Sequence, residues 1–317
     1  IAYYKHSLTA VDPSCGEADC EAISFVVEEN DSVASVAEEL EKNGLIRSAL
    51  VFRLYYKLEA KDLVIQSGEY SISKDMPVKK IAQNFNAGPD MQVFTITFLP
   101  GGTLADARTR LKAKGYTDAE ITDAFNKDYD HELLASKPKD ASLEGYIYGE
   151  TYEFYVGTPV EEILIRTFDQ MQSEIEELNI EQGFKAQGLS LHEGIVLASV
   201  VQKESGIIPG DMPQVAQVFL LRLQLGIPLG SDAIIGYYAD QQDPNRDKTD
   251  MSYLTTTPCP WNSRNCLGLP PSAISAPGAG ALEAVANPAE GDYLYFLTGD
   301  DGKMYYGRTE AEHNANI

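Results

Sequence analysis

The stretch from Ser190 to Asp232, SLHEGIVLASVVQKESGIIPGDMPQVAQVFLLRLQLGIPLGSD, constrains this chain more than any other. Ser190 and Glu193 have the S-x-x-E spacing of a capping box, which predicts a helix start where each side chain satisfies a free N–H group. Leu191, Ile195, Ala198, Val200 and Val201 then supply a wide apolar stripe at helical spacing. The stripe stops at Gln202-Lys203-Glu204-Ser205-Gly206, with Gly206 where a helix C-terminus favours positive φ. A second helix is expected from Asp211 as N-cap, with Pro213 in its first turn, Val215, Val218, Phe219 and Leu223 on one face, and Gly226 past its end. The resulting hairpin delivers Glu204 at the last turn of a buried helix. There the macrodipole and apolar neighbours both favour the protonated carboxyl, the state a general acid needs near neutral pH. A solvated surface residue is the competing reading of one Glu at a helix end.

At 317 residues the chain has room for two domains, each with its own core. Its 48 acidic and 25 basic residues give a net charge of −23, which repels phosphate backbones and, with no basic stripe of interleaved aromatics, argues against nucleic-acid binding. No apolar run approaches the roughly 18 residues of a membrane span. The first residue is Ile1 and not Met, so removal of an upstream signal peptide or anchor is expected. The cysteines form two close pairs, Cys15 with Cys20 and Cys259 with Cys266. They read as two local disulfides in an oxidising, extracytoplasmic setting or as free thiols in a reducing one; no histidine at ligand spacing favours a metal.

Residues 1–22 lack periodicity and read as a tail or spacer. A strand at Ile23 to Val27 is followed by a helix through Val33, Val36, Ala37 and Leu40, then a helical stretch from Leu45 to Leu58 with Leu50, Leu54 and Leu58 in register. Leu63 to Ile65 and Glu69 to Ile72 read as extended. Strand, two helices, strand is the order of a LysM-type carbohydrate-binding module. Ser67-Gly68-Glu69-Tyr70, then Met76-Pro77-Val78 and a helix to Gly88, resembles the LysM-like segment before certain peptidoglycan-cleaving domains. A small packing module without a ligand would show the same order.

An alternating strand from Val93 to Phe98 runs through Pro100-Gly101-Gly102-Thr103 into a helix carrying Leu104, Ala107 and Leu111. Without a G-x-x-x-x-G-K-[ST] or G-x-G-x-x-G pattern this is a turn and not a phosphate cradle. Leu143 to Phe154 is dense in Tyr and Phe at alternating positions, which either stack on a ligand or face a core. A helix from Val160 to about Leu178 leads into the hairpin. Asp240 to Asp250 reads as a surface loop, and Pro258 to Pro271 carries the single tryptophan, Trp261, and the second Cys pair. A short helix at Ala281 to Ala286 and a hairpin, Tyr293 to Leu297 with Lys303 to Tyr306, close the chain. His192-Glu193 does not open a zinc-protease motif, because Val196 stands at the second His position. Ser71-Ile72-Ser73-Lys74 matches S-x-x-K only by letter, and G-x-S-x-G is absent.

Ala198-Ser199-Val200-Val201-Gln202-Lys203-Glu204-Ser205 resembles the signature A-S-[IV]-V-E-K-E-[TS] of the YceG/MltG-type endolytic murein transglycosylases. Four further steps of that family's pattern are matched in order by Val218-Phe219-Leu220-Leu221-Arg222-Leu223, Gly230-Ser231-Asp232, Trp261-Asn262-Ser263-Arg264 with Gly268-Leu269-Pro270-Pro271, and Tyr293-Leu294-Tyr295-Phe296. Leu143-Glu144-Gly145 aligns too. The resemblance implies an α+β fold: a LysM-like βααβ module at 23–92, a connecting α/β segment at 93–160, and a mixed α/β YceG-like catalytic domain at 161–317.

Carried over residue by residue, the family's catalytic Glu falls on Glu204, while its other Glu is Gln202 here and cannot be an obligatory acid. Leu221 replaces an Asn, Trp261 and Arg264 replace two Tyr, and Gly149-Glu150 replaces Pro-Asp. Tyr146, Glu150, Tyr152, Ser231, Asp232, Trp261 and Asn262 are the candidates for a glycan groove, Asp232 reading equally as a helix cap or a loop brace. The implied reaction cleaves the MurNAc-GlcNAc β-1,4 bond and leaves 1,6-anhydro-MurNAc ends, one carboxyl serving as acid and then base. No metal or organic cofactor is implied. The implied partners are peptidoglycan strands and penicillin-binding synthases, at the outer face of the bacterial cytoplasmic membrane, with an N-terminal anchor outside this chain. A hydrolytic muramidase using Asp232 or Glu150 as second carboxylate, and a catalytically silent peptidoglycan-binding scaffold, are the competing readings.

Overall fold

The computed structural model describes residues 2–14, 22–89, 93–205 and 209–316. Two sequence expectations fall elsewhere. Cys15 and Cys20, expected to pair in a disulfide, both lie outside the described residues, and so does the Gly206 helix stop. The chain is a mixture of helices and short strands divided into two units, Ile1–Val93 and Phe94–Ile317.

In the first unit, helix α1 (Ala2–Ser7) precedes β1 (Ile23–Val27), α2 (Val33–Lys42), α3 (Ala49–Leu58), β2 (Gly68–Ile72) and α4 (Val78–Ala87). β1 pairs antiparallel with β2 in a register that sets Phe25 against Tyr70 and Ile23 against Ile72. Alternation turns Phe25, Val27, Tyr70 and Ile72 inward, onto Val36 and Leu40 of α2, Phe52 of α3 and Phe85 of α4. Tyr70 meets Phe85 edge to face at 4.8 Å. The strand, helix, helix, strand order is therefore present. The stretch expected as a tail or spacer is, in its described part, bound to this unit: Val78 N–H donates to the Leu8 carbonyl, and Arg47 donates to those of Ala10 and Val11. Leu50, Leu54 and Leu58 form one face of α3 as their spacing requires, but it is the outer face; Val51, Phe52, Tyr55 and Tyr56 fill the core instead.

The second unit holds the pair β3 (Val93–Thr97) and β4 (Thr151–Tyr155), with α5 (Leu104–Ala113) and α6 (Asp118–Asn126) between them in sequence. Then follow α7 (Val160–Glu177), α8 (Ile180–Ala186), α9 (Leu191–Glu204), α10 (Met212–Leu225), α11 (Asp232–Gln242), α12 (Tyr253–Thr256), α13 (Ala279–Ala286), the antiparallel hairpin β5 (Tyr295–Thr298) and β6 (Met304–Gly307), and α14 (Glu310–Asn316). The segment 93–160, expected as a connection, contributes to one core with the helices that follow; Ile96, Leu111, Tyr146 and Tyr152 pack with Phe168, Ile195 and Val201. Helix α9 is buried on all sides from Gly194 to Val201, as befits a helix apolar all round. It packs against α8, α10, α11 and α13. Gly194 permits the α8 approach, since a Cβ there would stand 2.0 Å from a ring carbon of Phe184.

Candidate active site

Helix α9 begins as its capping box dictates: Ser190 accepts from Glu193 N–H, and the Glu193 carboxylate accepts from Ser190 N–H (2.9 Å). Its other end is pinned by polar contacts. Ser199 Oγ accepts from Ile274 N–H (3.0 Å), Ser275 Oγ donates to the Ser199 carbonyl, and Gln202 Oε1 accepts from Gly278 N–H (3.0 Å). Gln202 is thus a brace for the segment leading into α13. Glu204, the last residue of α9, is half-buried.

The carboxylate of Glu204 meets the N-terminus of α11. Its Oε1 accepts from Ser231 Oγ (2.5 Å) and, at 3.4 Å, from Ala233 N–H. Ser231 is the N-cap of α11, its Oγ accepting from Ile234 N–H while it donates to Glu204. Loss of solvent raises the pKa of Glu204; the Ser231 and Ala233 donors pull it back part of the way, and the negative charge of Asp232 pushes it up again. A single carboxyl thus has surroundings that favour the acid and donors that await the anion.

Ser231 is itself held from two sides. Arg222 of α10 donates to the carbonyls of Pro228 (3.1 Å), Leu229 (2.8 Å) and Leu294 (2.6 Å), fixing the loop before α11. Gly230 N–H donates to the Ser263 carbonyl (2.8 Å), and Ser263 Oγ donates to the Ser231 carbonyl (2.5 Å). Ser263 belongs to the loop closed by the Cys259–Cys266 disulfide. Of the two expected disulfides this second one is therefore present, whereas the first, Cys15 with Cys20, falls outside the described residues.

The candidate residues take different places. Ser231 touches Glu204 directly. Asp232 begins α11 and forms a two-point ion pair with Arg264 (2.8 Å each), which makes it a loop brace. Asn262 is buried, its amide donating to the Thr257 carbonyl (3.0 Å) and its Oδ1 accepting from Arg264 N–H, so its side chain is spent on the loop. Trp261 remains half-buried beside Tyr237 and Tyr238, with ring centroids 5.6 and 5.8 Å away.

Tyr146 and Tyr152 are corrected by the structure: both are buried, not groove-lining. The Tyr146 hydroxyl pairs with His192 Nδ1 (2.8 Å), and Tyr152 donates to the Tyr148 carbonyl (3.0 Å), so the alternating rings of 146–154 serve the core. Glu150 stands exposed just before β4, tied to its neighbour through its carbonyl, which accepts from Phe98 N–H.

The sequence reading missed Glu144. This residue is 2% exposed, and both its oxygens accept from Leu104 N–H (3.1 and 3.2 Å) at the start of α5. Tyr237 of α11 donates to Oε2 (3.0 Å). Burial lifts the Glu144 pKa to about 7 against the lowering effect of these donors. The α5 N-terminus, read from the sequence as a turn and not a phosphate cradle, thus donates to the chain's own carboxylate. Glu144 and Leu104 line both a cavity of about 240 Å³ under Pro100 to Thr103 and a larger one of about 990 Å³ that reaches Tyr129, Tyr237 and Gln241. The signal in sequence was slight: one Glu in an apolar, aromatic run, followed by a Gly.

Two curated relatives share this chain's pattern. An endolytic murein transglycosylase of Bacillus subtilis (strain 168) is 27% identical over 92% of this chain and 83% of its own length. An endolytic murein transglycosylase of Streptococcus pneumoniae (serotype 2, strain D39) is 27% identical over 93% of this chain, which spans 58% of that relative. Among solved structures, the 2.6 Å crystal structure of a yceG-like protein, lmo1499, from Listeria monocytogenes matches with a TM-score of 0.59 and 26% identity, covering 93% of this chain and 99% of that one. The model of the YceG-like family matches residues 25–317, from the first strand through the Glu204 hairpin to the end, and this chain belongs to that family.

Proposed function

We propose that this protein is an endolytic transglycosylase that cleaves peptidoglycan strands with Glu204 as its acid and base, the first unit serving as a LysM-like holder of the strand. The observation that carries the reading is the setting of Glu204: a desolvated carboxyl whose Oε1 already faces the Ser231 hydroxyl at 2.5 Å and the start of α11. The relatives' activity and the family membership support the same chemistry.

In this reading the protonated Glu204 gives its proton to the glycosidic oxygen as the bond from the MurNAc C1 to that oxygen breaks. Ser231 and the α11 N-terminus then stabilise the new carboxylate. That carboxylate takes the proton of the same sugar's C6 hydroxyl while O6 bonds to C1, closing a 1,6-anhydro ring and restoring the acid. No water is consumed. An attacking group within the same sugar is effectively present at about 10⁵ M or more, so a second carboxylate to activate water is unnecessary. Ordinary hydrolytic glycosidases place two carboxyl groups about the bond. Here Asp232, whose negative charge acts on Glu204, is engaged through both its oxygens by Arg264, which favours the one-carboxyl reaction over a muramidase.

Digestion of peptidoglycan strands in heavy-oxygen water tests it. The proposal predicts anhydro-ended fragments, one water lighter than hydrolytic products and free of label; labelled reducing ends would overturn it in favour of hydrolysis. An extracytoplasmic site of action follows from the same substrate.

A further inference from the structure

The outer face of α3 is unusual for this chain. Leu50, Leu54 and Leu58 are 71%, 39% and 57% exposed, and at 100° per residue they form one continuous stripe. Arg53 and Lys57 are exposed along the same side. The helix, ALVFRLYYKL, contains no acidic residue, although the whole chain carries 48 acidic against 25 basic residues. Just past its end, the Glu59 carboxylate is engaged by the Tyr4 hydroxyl (2.8 Å).

The opposite face explains why the leucines stay outside. Val51, Phe52, Tyr55 and Tyr56 fill the core beneath α3, and Phe52 and Tyr56 pack at 5.1 Å between centroids. The core is complete without the stripe. Three exposed leucines in line are more than scattered surface apolarity, and the charges beside them have one sign against the sign of the molecule.

We propose that this face of α3 docks on an anionic lipid surface, the leucines entering the boundary between headgroups and acyl chains while Arg53 and Lys57 meet lipid phosphates. An apolar stripe with basic residues beside it is the pattern of a helix lying in a membrane interface. At the contact itself Arg53 and Lys57 attract anionic headgroups over about a Debye length, opposing locally the repulsion that a net charge of −23 brings. The face lies wholly within the first unit, and the proposal stands apart from the catalytic reading.

The full chain is sedimented with vesicles of phosphatidylglycerol and phosphatidylcholine, and with vesicles of phosphatidylcholine alone. Binding is expected to the anionic vesicles, weakened by salt and negligible on the neutral ones. Replacing Leu50, Leu54 and Leu58 together by Ser should reduce binding at least about tenfold, since each leucine loses apolar burial. Arg53→Glu with Lys57→Glu should do the same; unchanged circular dichroism and melting show that both variants fold. No binding by the parent chain, or binding that both variants retain, overturns the proposal. So does parent-chain dimerisation that the leucine variant abolishes, which assigns the stripe to a second copy, or capture by an acidic polypeptide in place of vesicles.

Discussion

Ser231 Oγ lies 2.5 Å from Glu204 Oε1, and through that one bond the end of α9 meets the beginning of α11. The two termini act on the carboxyl in opposite senses. The negative end of α9 favours the neutral acid, and the positive end of α11 favours the anion. Burial decides the balance toward the acid, which is the form that must be present before a glycosidic bond is broken.

Removing the Ser231 hydroxyl should shift that balance further. The bond lowers the pKa of Glu204, so Ser231→Ala raises it, and the alkaline limb of the pH–turnover profile moves to higher pH. Turnover should fall about tenfold or more, the worth of a hydrogen bond to a charged group. Ser231→Thr keeps the hydroxyl and should restore both properties. An alkaline limb that does not move in Ser231→Ala would separate this bond from catalysis.

The loop between Cys259 and Cys266 should matter for turnover as well as for stability. It carries Ser263, which fixes Gly230 and Ser231. Replacing both cysteines by Ser should cost about 2 kcal/mol through a freer unfolded chain. Ser263→Ala leaves the disulfide intact and should still lower kcat with little change in KM, because it loosens the Ser231 backbone behind the acid. Steady-state kinetics on glycan strands, with denaturant unfolding beside them, separate the two effects.

Glu144 should make stability depend on pH. Its folded-state pKa, about 7, lies above the usual 4.5, so the folded chain holds a proton that the unfolded chain has lost between those values. Stability contributed by this group is full below about pH 4.5 and is lost as pH rises through 7, by about 3 kcal/mol. In Glu144→Gln that part of the slope should vanish. Urea unfolding from pH 4.5 to 7.5 reads it directly; parallel curves for the two proteins would contradict the assignment.

Local chemistry was the legible part of the sequence. The Ser190–Glu193 capping box is a hydrogen-bonding requirement of neighbouring residues, and Pro213 and Gly226 around α10 are φ requirements; the helices start and end where those residues stand, with Asp211 at the N-cap of α10 but making no side-chain capping bond. What tertiary packing decides was not legible. Spacing put Leu50, Leu54 and Leu58 on one face of α3 but could not say which face is covered. Alternation put Tyr146 and Tyr152 in line but left open core or groove, and burial chose the core. Helix α11 sets Ile234 and Ile235 in a short run with Ala233, Gly236, Tyr237 and Tyr238, too brief a pattern to show helical spacing, although its Ser231 cap was already singled out as a site residue. Glu144 acquires its role only when Tyr237, 93 residues away, closes over it.

The central claim rests on Glu204, and the most direct measurement is mass spectrometry of glycan strands incubated with the parent protein and with Glu204→Gln. Gln preserves the size of the side chain and removes the acidic proton, so the variant should melt no lower than the parent while losing at least about 10²-fold in activity. The account predicts internal fragments with anhydro ends from the parent and none above background from the variant. The same anhydro-ended fragments from both proteins, at comparable rates, would contradict it.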